Sequence, residues 1–297
     1  MDAGQLLSDA DLAMYAGKRR GQGQVTLFTQ RMRTSTLRRS RLMTDLPQAL
    51  ERGDLTVHYQ TMVDLADGAV VGVEALARWQ RAEREWISPV EFVPLAEGTG
   101  LIRRLGEQVL LQACGDVASL NLRRPERSQL DLAVNVSARQ LDDPTFIDRL
   151  AGVLETTGLP ARSLTLEITE GALVEDTREV TGRLSALREL GVRIAVDDFG
   201  TRFASLAYLQ RLPLDILKID RAFVSGVHRE RGSAAITSAI VRMARELGLR
   251  TVGEGIEHAE EADWLRERGC DVGQGYHFSR PTDLSGLGEA LATRPGR

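Results

Sequence analysis

The run RIAVDDF ends on two adjacent carboxylates, Asp197 and Asp198, after residues suited to a buried strand. Like charges at the end of an apolar strand repel and lose hydration, so the fold must compensate them. The same pattern recurs along the chain. VVGVEA closes on Glu74, LAVNVS on Asn135, LTLEITE on Glu167 with Glu170, ILKID on Lys218 and Asp220, and TVGEGIE on Glu254 and Glu257. A helix cap or a surface ion pair explains any one of these taken singly. Six in phase require a common cause. Carboxylates with one Asn carbonyl, and neither His nor Cys at these strand ends, form a hard oxygen set that suits Mg²⁺ or Mn²⁺ rather than zinc. Two neighbouring aspartates suit a pair of ions, the arrangement expected for two-metal attack on a phosphodiester. Lys218 either neutralises Asp197 or Asp220, or lowers the pKa of attacking water. Arg78, four residues beyond Glu74, either clamps a phosphate with its planar fork or stacks on Trp79.

Positioning these groups requires many strands with one common end. From Leu55 onward, short Val/Ile/Leu-rich runs alternate with helix-patterned stretches. The expected strands are LTVHYQT, AVVGVEAL, LDLAVNVS, LTLEITE, RIAVDDF, ILKID, RTVGEG and VGQGYHF. Asp67-Gly68 signals a hairpin, so the first two are antiparallel, whereas helix-length segments between the others demand parallel crossovers. PTFIDRLAGVLETTG, TREVTGRLSALRELG, SAAITSAIVRMARELG and AEEADWLRERG read as helices stopped by glycine. Strand and helix repeated over about 250 residues is the pattern of a closed barrel with a helical jacket, whose chemistry sits at the carboxyl ends of the strands. Upstream, LSDADLAMYAGKRRGQGQVTLF reads as an Asp-capped helix ending at Gly21 and a short strand from Val25 to Phe28. QRMRTSTLRRSRL follows as a solvated helical face or connector, with binding of an anionic partner as the alternative.

The 297 residues carry a formal net charge of -4, so no DNA or RNA footprint is indicated. Cys114 and Cys270 lie far apart, without metal-ligand spacing, and read as two reduced core thiols in a cytoplasmic protein. The first residues lack a signal peptide's basic start and apolar block, and no stretch approaches the ~18 apolar residues of a membrane span.

EALARW (Glu74 to Trp79), ISPVEFVPLAEGTGLI, NVSARQL, LEITE, DDFGT, LKID, GEGIE and GQGYHFSRP together resemble the EAL-domain phosphodiesterases of bacterial cyclic di-GMP signalling, from about residue 39 to the carboxyl end. The resemblance implies an α/β fold, a modified TIM (β/α)8 barrel with an antiparallel first strand, hydrolysing cyclic di-GMP to linear pGpG with Mg²⁺ or Mn²⁺, two ions in all. By analogy Glu74, Asn135, Glu167 and Asp197 match the first metal set, Asp197, Asp198 and Glu254 the second, and Lys218 the water-activating lysine. Gln60, Arg78 and Gln274 match substrate contacts, Glu170 the glutamate that braces the loop after DDF, and Asp220 and Glu257 flanking supports. DADLAMYAGKRRGQGQVTLF looks like the last helix and strand of a GGDEF diguanylate cyclase domain. Residues 1–38 are therefore expected to be a GGDEF remnant with a linker, the rest of that domain lying upstream in a longer protein, and 39–297 the barrel.

DDFGTRFASL departs from the family's DDFGTGYSSL at Arg202, Phe203 and Ala204. In the family this loop and an adjacent helix form a homodimer, so turnover and dimerisation hinge on it. The alternative reading is a catalytically weak or inactive cyclic di-GMP receptor. Thr61 stands where YQP would have proline, next to Gln60. The Asn135-Val-Ser137 sequon, the GQGQ run and the scattered His58, His228, His258 and His277 carry no separate function.

Overall fold

In the computed structural model, which describes residues 3–20, 25–81, 85–173, 177–200 and 209–293, the expected strands close on one another. They are β1 (Leu55–Asp64), β2 (Val70–Gln80), β3 (Trp86–Ile87), β4 (Asp131–Asn135), β5 (Leu164–Thr169), β6 (Arg193–Phe199), β7 (Ile216–Ile219), β8 (Arg250–Gly253) and β9 (Val272–Gln274). The order is β1-β9-β8-β7-β6-β5-β4-β2, with a β1–β2 pairing that completes the ring and β3 appended to β2. β2 and β4 to β9 run parallel, while β1 pairs antiparallel with β9 through Met62↔Gln274. The Asp67-Gly68 turn joins β1 to β2, with Gly68 at φ 77° and its N–H on the Asp64 carbonyl at 2.9 Å. This is the irregular barrel expected from the sequence.

The parallel strands are covered on both faces, so they read as near-continuous apolar runs; Ile194, Ala195 and Val196 of β6 are all fully buried. The jacket helices supply apolar stripes at helical spacing, such as Ile240, Val241 and Ala244 on the helix Arg231–Glu246. Gly158 ends the helix Phe146–Thr157 in the left-handed conformation that a residue with Cβ adopts at a cost. Asn121, at the end of the helix Ile102–Asn121, donates to the Leu130 carbonyl at 3.0 Å and accepts from its N–H at 2.8 Å. Asn121→Ala leaves both buried groups unpaired and is expected to cost about 2–4 kcal/mol, checked by urea unfolding.

Alternation along each strand organises the barrel interior into layers. Met62, Ala133, Val252 and Val272 form an apolar cluster with Ile216 packed against it. Two residues further along the parallel strands, on the same face, come Asn135, Glu254, Gln274 and Lys218. On antiparallel β1 the corresponding position is Gln60, two residues before Met62. At the other end of the barrel Arg193 pairs with Asp131 at 2.6 Å. Gly72, two before Glu74, makes room for this core: a Cβ there would fall 2.9 Å from the Met62 methyl.

Two compact units are distinguished, Met1–Leu55 with Trp79–Leu101, and Thr56–Arg78 with Ile102–Arg297. In the first, the helix Gln30–Arg52 contains the basic run, and its Arg38 binds Glu85 at 2.7 Å and Glu91 at 2.5 Å. Trp79 packs edge-on to Phe92 with centroids 5.9 Å apart. Two expectations are corrected here. Val25–Phe28 is not a strand: it has no ladder partner among the described residues, and Val25 and Leu27 are 95% and 79% exposed. The upstream helix spans Ala3–Arg20, which puts Asp9 and Asp11 inside it rather than at its cap, and Asp9 pairs with Arg33. Gly21 and the GQGQ run lie outside the described residues.

Both cysteines are free and buried. Burial pushes the Cys114 thiol up to about 12 and the Cys270 thiol up to about 11. Neither is expected to react with a thiol-specific reagent at pH 8 until denaturant is added, a difference read directly by absorbance.

Candidate functional site

Lys218 projects from β7 into the barrel and is 1% exposed. Its ammonium lies 2.6 Å from Glu254, 2.7 Å from Glu167, 3.3 Å from Asp197 and 3.8 Å from Glu74. Of the two structural partners expected for it, Asp197 is confirmed and Asp220 is not. Asp220 instead caps the short helix Arg221–Val224, accepting from the Ala222 N–H at 2.8 Å.

Glu74 accepts from the Asn135 amide at 2.7 Å and from the Gln274 amide at 2.5 Å. Asn135 also donates to Glu167 at 3.2 Å, so it links the carboxylates of β2 and β5. The strand carrying Glu74 does not close there: β2 continues to Gln80, where Trp79 and Gln80 pair with Ile87 and Trp86 of β3. Arg78 accordingly lies within β2, donating to the Ala77 carbonyl at 3.0 Å. Adjacent strand residues point to opposite faces, which rules out stacking of Arg78 on Trp79. The last strand ends at Gln274 rather than at Phe278.

The adjacent aspartates pose a geometric problem, since neighbours on a regular strand face opposite ways. A register shift between Val196 and Phe199, with Asp198 at φ 56°, resolves it. Bulges re-aim side chains, at a strain of order 1 kcal/mol for a non-glycine residue held there. One oxygen each from Asp197, Asp198 and Glu254 then lies within 4.8 Å of the others.

The charges are unbalanced. Burial and the Glu74 charge push Glu167 well above the usual carboxylate range. Burial likewise pushes Glu254 up to about 8, with Asp197 and Glu74 adding to the shift against Lys218. Burial and the neighbouring Asp197 raise Asp198 too. Burial opposes ionisation of Glu74 as well, but the Lys218 charge and the hydrogen bonds from Gln274 and Asn135 outweigh it and leave Glu74 below its ordinary value. Burial opposes charge on Lys218, yet Glu167, Glu254, Glu74 and Asp197 together hold it well above the usual lysine range. Lys218 is therefore a fixed cation and not a base. Burial lowers Arg78, which an anionic ligand would offset.

A cavity of about 210 Å³ opens beside this set, lined by Gln60, Glu74, Glu254, Gln274 and Tyr276 and by the Arg221–Glu257 ion pair of 2.6 Å. Gln60 accepts from Gln274 at 3.2 Å and donates to the Ser279 carbonyl at 3.0 Å. Thr61, where a proline could not donate, gives its N–H to the Ser279 hydroxyl at 3.2 Å. Gly275 is required where it stands: a Cβ would fall 2.1 Å from the Ile256 carbonyl oxygen. Glu170 accepts from the Gly200 N–H at 2.9 Å. Arg202, Phe203 and Ala204 lie outside the described residues. Arg221 and Tyr276 were not singled out in the sequence, although they follow Asp220 and Gln274 closely; nothing in their type or spacing marks them.

The site fits divalent cations. Among the described residues the buried Asp197 Oδ1 accepts no aligned hydrogen bond; the Lys218 ammonium lies 3.3 Å from it. The donors around it are carboxylate oxygens in excess of the one ammonium, as hard cations require. Among the described residues no helix is long and apolar enough to cross a membrane.

Comparisons with known proteins agree with this geometry. Residues 43–281 match the family model described as the EAL domain. The chain is 40% identical over 287 residues to the cyclic di-GMP phosphodiesterase NbdA of Pseudomonas aeruginosa, covering 97% of this chain and 36% of that protein. It is 37% identical over 280 residues to the cyclic di-GMP phosphodiesterase PdeR of Escherichia coli, covering 94% of this chain and 42% of the relative. The chain thus spans well under half the length of these two relatives. The solved structure of the PaMucR phosphodiesterase in complex with c-di-GMP superposes with a TM-score of 0.79 at 40% identity, over 83% of this chain and 99% of that one.

Proposed function

The chain belongs to the EAL domain family, and on that premise we propose that it is a metal-dependent phosphodiesterase that hydrolyses cyclic di-GMP to linear pGpG. The observation that carries this reading is the grouping of Asp197, Asp198 and Glu254 at the edge of a cavity, with the buried Lys218 ammonium 3.3 Å from Asp197 and 2.6 Å from Glu254. Glu74, Asn135, Glu167 and Asp197 would hold one Mg²⁺ or Mn²⁺ ion, and Asp197, Asp198 and Glu254 a second. When bound, such ions make water more acidic and screen the charge that develops on the phosphate oxygens.

The chain's own groups do the rest. Arg78, desolvated and fixed by its bond to the Ala77 carbonyl, gains most by meeting a phosphate oxygen, so it orients the diester. Lys218 holds Glu167 and Glu254 in place and, as a cation that keeps its proton, favours hydroxide over water beside it. Gln60 and Gln274 fix one another at the cavity wall, where they face the ligand. Glu170 ties the Gly200 backbone at the start of the loop after β6. The proposal includes the GGDEF-like remnant at residues 1–38 and a homodimer formed through the loop after Asp198 and the adjacent helix.

Incubating the purified chain with cyclic di-GMP and Mn²⁺, then resolving nucleotides by chromatography, tests the activity. Conversion to pGpG is expected. Retention of intact cyclic di-GMP without cleavage would replace the enzyme by a receptor.

A further inference from the structure

Glu254 and Glu257 sit on one backbone segment, and what holds that segment differs along its length. The Glu254 N–H donates to the Ile219 carbonyl of β7 at 3.1 Å and the Ile256 N–H to the Gln274 carbonyl of β9 at 3.0 Å, so neighbouring strands fix its first half. Its second half is fixed by Glu261, a carboxylate only 1% exposed in the first turn of the helix Ala259–Glu267. One oxygen, Oε2, accepts from the Glu257 N–H at 2.9 Å and the His258 N–H at 3.1 Å. The other, Oε1, accepts from the Gly226 N–H at 2.8 Å, in the loop that follows β7.

A helix-capping glutamate needs only the first of these contacts. The second ties the loop after β8 to the loop after β7, the same two loops that the Arg221–Glu257 pair spans. The junction has no slack. Gly255 sits at φ 64° beneath the Arg221 side chain, where a Cβ would come within 2.4 Å of Cγ. Only Gly255 and Ile256 separate Glu257 from Glu254, so releasing Glu257 loads the strand hydrogen bonds that hold Glu254.

We propose that Glu261 is a positioning residue for the metal site, holding the Glu254–Glu257 segment at the geometry in which Glu254 completes the group with Asp197 and Asp198. The proposal rests on the metal-dependent reading above.

The test measures Mn²⁺ affinity by calorimetry on the full chain without nucleotide, alongside Tm. Glu261→Ala is expected to weaken Mn²⁺ binding about tenfold or more, the effect of losing a group that orients a ligand. Glu261→Gln keeps one oxygen, which can serve Glu257 and His258 but not Gly226 as well, and is expected to recover part of that loss. Asn121→Ala, which unpairs buried groups away from the site, is expected to lower Tm while leaving Mn²⁺ affinity unchanged. A Glu261→Ala protein with a lower Tm but Mn²⁺ affinity within twofold of wild type would reduce Glu261 to a stability role and overturn the proposal. If Glu261→Ala does not fold, Glu261→Gln decides in the same way, since unchanged affinity there also overturns it. Wild-type protein that takes up no Mn²⁺ overturns the metal reading, and this proposal with it; wild-type uptake with unaltered variants overturns this proposal alone.

Discussion

Lys218→Ala is expected to lower turnover about 10³-fold and to destabilise the metal-free protein by about 3–5 kcal/mol, on the order of 10 °C in Tm. The two effects share one cause. Lys218 is the cation against which Glu167 and Glu254 are buried, at 2.7 and 2.6 Å. Without it, these carboxylates lose their compensating charge and rise further above their ordinary range. A carboxyl whose folded pKa is raised binds more protons folded than unfolded, so stability falls from the unfolded carboxyl value up to that pKa and levels off above it. The stability gap between variant and wild type should accordingly be wider at pH 9 than at pH 6, because Glu254, at about 8 in wild type, has ionised by then and its further-raised counterpart in the variant has not. In wild type the raised Lys218 pKa keeps its contribution intact throughout that window, because it is lost only above the unfolded lysine value of about 10.4. Millimolar Mn²⁺ should recover part of the variant's Tm, since a bound cation supplies the missing charge. Denaturation at two pH values, with and without Mn²⁺, checks this. A Tm within about 1 °C of wild type, or turnover within tenfold, would remove Lys218 from its assigned place.

The barrel was legible because its strands are covered on both faces. Buried parallel strands read as uninterrupted apolar runs, so a carboxylate or lysine interrupting such a run, as at Glu167, Asp197 or Lys218, stands out. Strand ends were less legible. Glu74 looked terminal because an acid ends an apolar pattern, yet β2 continues to Gln80. The adjacent aspartates were visible as a puzzle but not as a geometry, since nothing in the residue types announces the register shift that turns Asp198 toward Asp197. Gln274 came from family resemblance and not from periodicity, since a buried glutamine in β9 has no signature of its own; Glu170 was visible at a strand end, but its tie to the loop after β6 was not. Glu261 was hidden for a further reason. The usual capping signature begins with Ser, Thr, Asp or Asn, and here the position three residues earlier is His258. Val25–Phe28 failed in the opposite sense: β-favouring residues do not make a strand without a ladder partner.

Glu74→Gln is expected to separate binding of the ions from stability of the fold, in the direction opposite to Lys218→Ala. The amide keeps the side chain's shape and one acceptor for Asn135 or Gln274, now at 2.7 and 2.5 Å from the carboxylate, so the loss is about one hydrogen bond, 0.5–1.5 kcal/mol. Removing a negative charge also relieves Glu167, whose carboxyl the Glu74 charge pushes up. These effects offset, and the metal-free Tm should change little. Mn²⁺ binding should weaken at least tenfold, and pGpG formation should fall below about 10⁻³ of wild type, because a ligand charge that stabilises the transition state has gone. Glu74→Ala should share the loss of turnover but cost more stability, leaving the Asn135 and Gln274 amides with buried donors unpaired. Calorimetric titration with Mn²⁺ and a chromatographic rate measurement on both variants test the pair. The decisive comparison is between stability and activity: if Glu74→Gln keeps a tenth or more of wild-type turnover with unaltered Mn²⁺ affinity, Glu74 serves only to order its two amide neighbours and the ions are held elsewhere.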